Sequence, residues 1–312
     1  MNRGPLYDKT YRPQLSGHET FPLRYGWLKK AYDAVKLAED SGDDASVFSA
    51  DDAIARFGVG KNMVASMRHW ANAAGIVEEK SGRPTTTSLG YVLFDDVDGL
   101  DPYMENPSTS WLIHWKLCSQ PTKTSWYWAF NHYPALTFHR DILVRNIAEL
   151  ANDRGWTRAS QATIKNDVAC FVRSYVSQGL KGNASHEDSL ESPLTELGLI
   201  RSREDHHGLR FVRGSKPSLG SGVFTFAVTE FWRGHSPSAR TLSFEALAHE
   251  PGCPGRVFQL DENDLLDRLY ALEDSSQGRY TWSETAGLKQ IVRDFEFDSF
   301  DATGLIQLDY GT

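Results

Sequence analysis

Fifteen residues near the start of the chain, Ser16 to Lys30, bring together an imidazole, a carboxylate and three cations: His18, Glu19, Arg24, Lys29 and Lys30. Cleaving a phosphodiester requires charge stabilisation on the phosphorane, from a metal or from Arg and Lys, together with activation of the nucleophile. This is the one compact segment that offers all of those residue types. In that reading Arg24 and Lys29 neutralise developing charge, His18 or Glu19 orients water or binds a divalent metal, and Lys30 holds DNA. His18 and Glu19 are neighbours, so a tight turn is needed to aim both at one atom. Plainer roles exist for the same residues. Ser16 and Glu19 have capping-box spacing, although Pro22 delays the helix, and Arg24, Lys29 and Lys30 suit a solvated helix start.

Other nuclease signatures are incomplete. Glu78-Glu79-Lys80 contains an E-x-K triplet on an expected strand, without an identifiable upstream aspartate. Asn131, His132 and His139 have the residue types of an HNH site but not its framing. The sequence names no metal ligand set; a divalent cation such as magnesium suits the chemistry.

The elements that would position such a site begin with a helix over 24–39, its Tyr25, Leu28, Tyr32 and Val35 at helical spacing. Val47 to Glu79 then reads as a helix-turn-helix. Ser49 suits the N-cap of a helix over 50–57, Gly58-Val59-Gly60 breaks it, and Lys61 to Ala74 restarts at helical period. Val64, Met67, Trp70, Ala71 and Ala74 share one face. Lys61, Asn62, Ser66, His69 and Asn72 fall on or near the other, a small polar surface suited to a major groove. Gly75-Ile76-Val77 ends this helix and starts a strand, and Arg83 to Phe94 returns as a second strand to complete a winged helix. The same polar face also fits plain solvent exposure or protein docking.

Further on, 95–106 reads as an exposed acidic connector. Trp111 to Phe138 is dense in aromatics interleaved with His114, Lys116, Lys123 and His132, a pattern that either stacks bases of a single strand or packs between domains. An amphipathic helix over 140–153 precedes a second recognition-helix candidate, Thr163 to Gln178, with Lys165, Asn166 and Arg173 as its DNA contacts. Leu197 to Ile200 reads as a strand, and Arg201 to Lys216 as a long basic hairpin whose Arg201, Arg203, Arg210 and Arg213 would meet phosphates. Glu204 and Asp205 near its tip count against that. A helix over 223–232 is followed by elements at 241–249, 261–274 and 279–282 that would form a third, acidic winged helix.

The fold class expected is therefore mostly α with small β-hairpins (α+β), organised as tandem winged-helix modules. The segments are an N-terminal arm and helix (1–45), a winged helix (46–105), an aromatic-rich helical connector (106–140), a second winged-helix-like domain with the basic hairpin (141–235), and an acidic winged-helix-like domain (236–312). The net charge of −8 does not exclude DNA, because residues 257–312 carry 12 acidic and 4 basic side chains and the preceding 256 balance at 29 of each. No secretory signal or apolar run of membrane length is present, which points to the cytoplasm. Cys118, Cys170 and Cys253 have no metal-site or paired spacing and read as reduced, partly buried thiols.

Three long runs, SGHETFPLRYGWLKKA (16–31), GVGKNMVASMRHW (58–70) and WLIHW with TSWYWAFN (111–115, 124–131), resemble the SspB family of the bacterial Ssp DNA phosphorothioation and phage-defence system. They cover the first half of the chain; the second half resembles it in general organisation. The resemblance implies a DNA-nicking protein that works beside a cysteine desulfurase, an ATP-pyrophosphatase-like sulfur-transfer enzyme and an ATPase. It carries over no established catalytic residue. The rival reading is a non-catalytic DNA-binding adaptor that recruits the sulfur-modification enzymes through the acidic C-terminal segment.

Overall fold

In the computed structural model, the residues described are 4–42, 47–49, 52–177, 192–203, 208–285 and 287–311. The architecture is mixed α and β, predominantly helical, with small antiparallel sheets. The first unit contains α1 (Trp27–Ser41), α2 (Ala53–Phe57), α3 (Lys61–Ala73), the pair β1 (Val77–Lys80) and β2 (Arg83–Thr86), and α4 (Ser88–Phe94). α1 packs on α3 and buries Leu28, Ala31, Tyr32 and Val35. α2 ends at Gly58, which adopts φ 66°, a left-handed C-cap suited to glycine. Its start falls at Ala53 after Asp52, not at Ala50 after Ser49; Ala50 and Asp51 lie outside the described residues.

The strand expected to run from Arg83 to Phe94 stops at Thr86. Thr87 then caps α4, its hydroxyl accepting from the Gly90 amide, and Leu89, Leu93 and Phe94 turn inward at helical spacing. Gly90 lies so close to the Ile76 carbonyl that a Cβ would sit 2.3 Å from its oxygen.

α5 (Pro107–Cys118) and α6 (Thr124–Asn131) carry the aromatic-rich segment into the interior. Trp111, Trp115 and Trp126 are wholly buried, so base stacking on them is ruled out and the packing alternative holds. Their indoles find partners where polar groups are near, Trp111 donating to Ser218 and Trp115 to Glu230. Asn131 donates to the Cys118 and Tyr127 carbonyls and accepts from the Gly252 amide, which commits its side chain to holding a turn and removes it from the HNH reading.

β3 (Thr137–Phe138), α7 (Arg140–Arg154) and α8 (Gln161–Tyr175) come next. Leu197 to Ile200 is not a strand throughout: Pro193–Leu197 is a 3-10 turn that ends at left-handed Gly198. The hairpin is shorter than expected, with β4 (Ile200–Ser202) and β5 (Leu209–Phe211) joined to β3 in the order β3-β5-β4. Glu204 and Asp205 lie outside the described residues, as does Gln178. Lys216 is buried and donates to the carbonyls of Val212, Gly214 and Gln259, so it is an internal clamp and no phosphate contact.

α9 (Ser221–His235), β6 (Thr241–Ser243), α10 (Phe244–His249), α11 (Pro254–Val257), α12 (Glu262–Tyr270), α13 (Leu272–Ser275), β7 (Tyr280–Thr285) and β8 (Leu288–Arg293) complete the chain, with a sheet ordered β6-β8-β7. The C-terminal 3-10 segment Ala302–Asp309 lies along α9, and both carboxylate oxygens of Asp309 accept from its first amides, Gly222 and Val223. The buried apolar side chains form one connected cluster from Leu6 to Ile306. Among the described residues no helix is long and apolar enough to cross a membrane.

Candidate functional site

Asp167 sits on α8 among Ile164, Val168 and Phe171, a carboxylate on an otherwise apolar stripe. Burying an ion is costly unless it is paired. Here His18 answers it, with Nε2 2.9 Å from the Asp167 Oδ1. The other ring nitrogen, Nδ1, accepts from the Thr20 amide at 2.9 Å, so the proton sits on Nε2 and donates to Asp167. Asp167 Oδ2 has no hydrogen-bond partner among the described residues. A second α8 side chain, Arg173, donates to the Thr20 carbonyl. Glu19 and Thr20 both adopt positive φ, 46° and 65°. Such left-handed residues cost energy unless the surroundings hold them, and here His18 and Arg173 do so.

α3 meets this turn at His69. Its ring lies edge-on to His18, with centroids 5.8 Å apart, and the Lys123 ammonium approaches its Nε2 at 2.6 Å. Lysine can only donate, so this nitrogen accepts. Burial, then the Lys123 charge, then His18 push the His69 pKa down to about 2 and keep its imidazole neutral. Lys123 is itself buried; desolvation brings its pKa down to about 8, partly opposed by Asp167 and Cys170. Gly17 passes so near that a Cβ would fall 2.5 Å from His69 Nδ1, at a φ of 103°.

Above these groups opens a cleft of about 840 Å³. α3 supplies Arg68, His69 and Asn72; the arm supplies Arg12, Gln14 and Glu19; and the segment from α5 to α6 supplies Lys116, Gln120 and Lys123. Arg68 donates to Glu79 of β1 and Lys116 to Glu230, whereas Glu19 has no hydrogen bond or ion pair among the described residues. The expected capping role of Glu19 is therefore not seen: α1 starts at Trp27 after left-handed Gly26.

The expected cluster of His18, Glu19, Arg24 and Lys29 divides. Arg24 is buried, its guanidinium 5.5 Å from the centroids of Phe21 and Trp27. Lys29 lies 2.5 Å from both Asp33 and Asp96, and Lys30 donates to the Phe57 carbonyl. Neither Arg24 nor Lys29 lines the cleft. The cause is helical period: α1 begins only at Trp27, so Lys29 and Lys30 ride its outer side toward α4 and α2 while the turn at 17–20 faces α3 and α8.

On α3, Lys61 and Asn62 are exposed, His69 and Asn72 are half-buried, and Ser66 is fully buried, which removes it from the DNA-facing set. The buried arc of α3 is wider than Val64, Met67, Trp70, Ala71 and Ala74 alone imply, because both α1 and the 16–21 segment cover it; Trp70 donates to the Phe21 carbonyl. Ala65 and Arg68 are exposed in place of Ser66. On α8, Lys165 and Asn166 are exposed and Arg173 is half-buried on Thr20, while Cys170 is fully buried. Arg201, Arg203, Arg210 and Arg213 are all exposed, and Arg201 and Arg210 face each other across β4 and β5.

In the sequence Lys123 stands out only as one cation among aromatics, and Asp167, Arg12 and Arg68 belong to no motif. The usable signal was Asp167, a carboxylate three residues after Ile164 on the inward face.

The family model for "Protein of unknown function (DUF4007)" matches residues 15–307. Two solved structures, an SspB crystal structure and a magnesium ion-bound SspB crystal structure, superpose with TM-scores of 0.80 and 0.81. Each is 33% identical in sequence, over 94% of this chain and 87% of the other. The chain belongs to the SspB family. No curated protein matches it. The likeness supports a part in the Ssp system for this SspB-family protein.

No group of three or more His, Cys, Asp or Glu residues able to hold a metal forms among the described residues. Magnesium commonly takes only one or two carboxylates, with water and substrate phosphate completing its shell. Glu19, exposed and unpaired at the cleft, fits that limited demand.

Proposed function

We propose that this SspB-family protein binds DNA and makes the single-strand break that lets sulfur be placed on one strand. The carrying observation is the cleft: an exposed helix start, Lys61 and Asn62, leads into a cavity with Arg12, Arg68 and Lys123 on its walls and an unpaired carboxylate, Glu19, at its edge. In this reading α2, α3, β1 and β2 act as a winged helix, with α3 meeting base edges. The exposed arginines of β4 and β5 hold phosphates. Like charges directly opposite on a sheet repel, and an anion between Arg201 and Arg210 relieves that repulsion.

Within the cleft, Lys123 and Arg12 meet the negative charge that develops on the phosphate, and Glu19 orients the attacking water. A magnesium ion held by Glu19 and DNA phosphate would add Lewis-acid stabilisation. His18 is a positioning residue, fixing the turn that presents Glu19. Its partners in the cell are DNA and the Ssp sulfur-transfer proteins. The test is relaxation of supercoiled plasmid by highly purified protein, with and without EDTA, comparing wild type with Glu19→Gln and Lys123→Met. Nicking lost in both variants while DNA binding persists supports the assignment. DNA binding without nicking in the wild type assigns the adaptor role instead.

A further inference from the structure

Two segments converge on the α3 wall of the cleft. The arm reaches the helix at His69 through Gly17, and the segment before α6 reaches the same ring through Lys123. Along α3, Lys61, Asn62, Ala65 and Arg68 are exposed, whereas the His69 ring at the cleft is covered from two sides. The cleft, about 840 Å³ and open to solvent along one side, has the volume of a small-molecule site. It is far too small for a stack of base pairs and ample for one nucleotide.

Its lining fits that occupant. Gln14, Asn72 and Gln120 bring three amides, each able to donate and accept, to a single cavity. Asn72 spends one donor on the Arg68 carbonyl and Gln14 spends one on the Ser16 carbonyl, and neither amide oxygen accepts a hydrogen bond among the described residues. Phe48 contributes an apolar ring, and Arg12 and Lys123 supply charge for the attached phosphate. A base taken out of its stack presents an edge to hydrogen-bonding groups and a face to apolar ones.

We propose that the cleft receives a single unpaired nucleotide drawn out of the DNA strand. This rests on the DNA-binding reading above and names what enters the site. Drawing one nucleotide out would bring its own phosphate beside Lys123 and Glu19, and would select one strand of a duplex for reaction.

The test compares a fully paired duplex carrying 2-aminopurine with the same duplex carrying it opposite an abasic site. Unpairing costs a few kcal/mol, least for a base already unpaired, so the second duplex should bind about tenfold or more tightly. Its fluorescence should rise on binding. Thr122→Trp, which fills the cleft from an exposed position, should bring the affinity ratio toward one and abolish the rise, with a thermal melt confirming the fold. Equal binding of both duplexes with no rise overturns the nucleotide pocket and leaves the DNA-binding reading standing. A preference that Thr122→Trp does not alter places the unpaired base elsewhere and also overturns it. Failure to bind either duplex overturns the DNA-binding reading itself.

Discussion

Replacing Lys123 with Met should make the stability curve cross that of the wild type as pH rises. Burial brings the Lys123 pKa from 10.5 to about 8, which corresponds to about 3 kcal/mol against carrying the charge in the folded state. The folded chain gives up this proton before the unfolded chain does. The penalty is therefore fully present below pH 8 and fades as pH rises from 8 to 10.5. On that basis roughly 1 kcal/mol is recovered between pH 7 and 9, and about 2.5 kcal/mol by pH 10. Met carries no such penalty, but it leaves His69 Nε2 without its 2.6 Å donor, at a cost of about 1–3 kcal/mol. The variant should thus equal or exceed the wild type at pH 7 by up to about 2 kcal/mol and fall below it near pH 10. Urea unfolding at half-unit pH steps measures this directly. DNA affinity of the wild type should weaken as pH rises through 8, while that of the variant stays flat over the same range. Stability curves that run parallel from pH 7 to 10 would refute a buried, depressed Lys123.

Asp309→Ala should destabilise the protein by about 2–3 kcal/mol in the same unfolding assay, because two charge-assisted bonds to the first amides of α9 are lost; a change under about 0.5 kcal/mol would show that α9 does not depend on this cap. Cys118, Cys170 and Cys253 are buried, and burial pushes the Cys253 thiol up to about 12 and the other two higher. A thiol reagent at pH 8 should therefore modify none in the native protein and all three after denaturation, and rapid native labelling would contradict that burial. Replacing Arg201 and Arg210 together with Gln should lower the slope of log affinity against log salt by about 2; an unchanged slope would remove this sheet from the DNA interface. Gly17→Ala should lower stability measurably, since the added Cβ meets the His69 ring at a backbone angle that disfavours it.

Helix positions were legible because their signals are local. The starts of α3 and α7 fall at the expected residues, and α9 spans its expected core. Segments settled by tertiary contact were not. Arg83 to Phe94 has an apolar run that fits strand or helix, and the Thr87 cap decides for helix after Thr86. Ser66 carries no sign in the sequence that two segments cover its face of α3. The acidic stretch after residue 256 reads as a separable unit by charge, yet Asp309 caps α9 and Arg293 donates to the Pro237 and Ala239 carbonyls. Deleting that stretch removes supports of the preceding helix and sheet, so it is no test of DNA binding by the remainder.

The candidate site was half legible for a related reason. Of the residue types crowded between 16 and 30, Gly17 and Glu19 reach the cleft while Arg24 and Lys29 do not, since neighbours in sequence diverge once α1 begins. The actual companions of the turn at 17–20 come from 149 residues away, where Asp167 meets His18, and from the segment before α6, where Lys123 meets His69. Each of these features is locally unfavourable: a carboxylate within an apolar stripe, an ammonium held at depressed pKa, and two left-handed residues that are not glycine. Features that break local rules persist when a function offsets their cost, and they gather where that function resides. Here they meet at one cleft. If they served folding alone, replacing Lys123 and Asp167 together with apolar residues of similar size would cost little and could stabilise the fold. Their placement together, under a cavity with an unpaired carboxylate at its edge, is what ties the strain to the work done on DNA in the proposed mechanism.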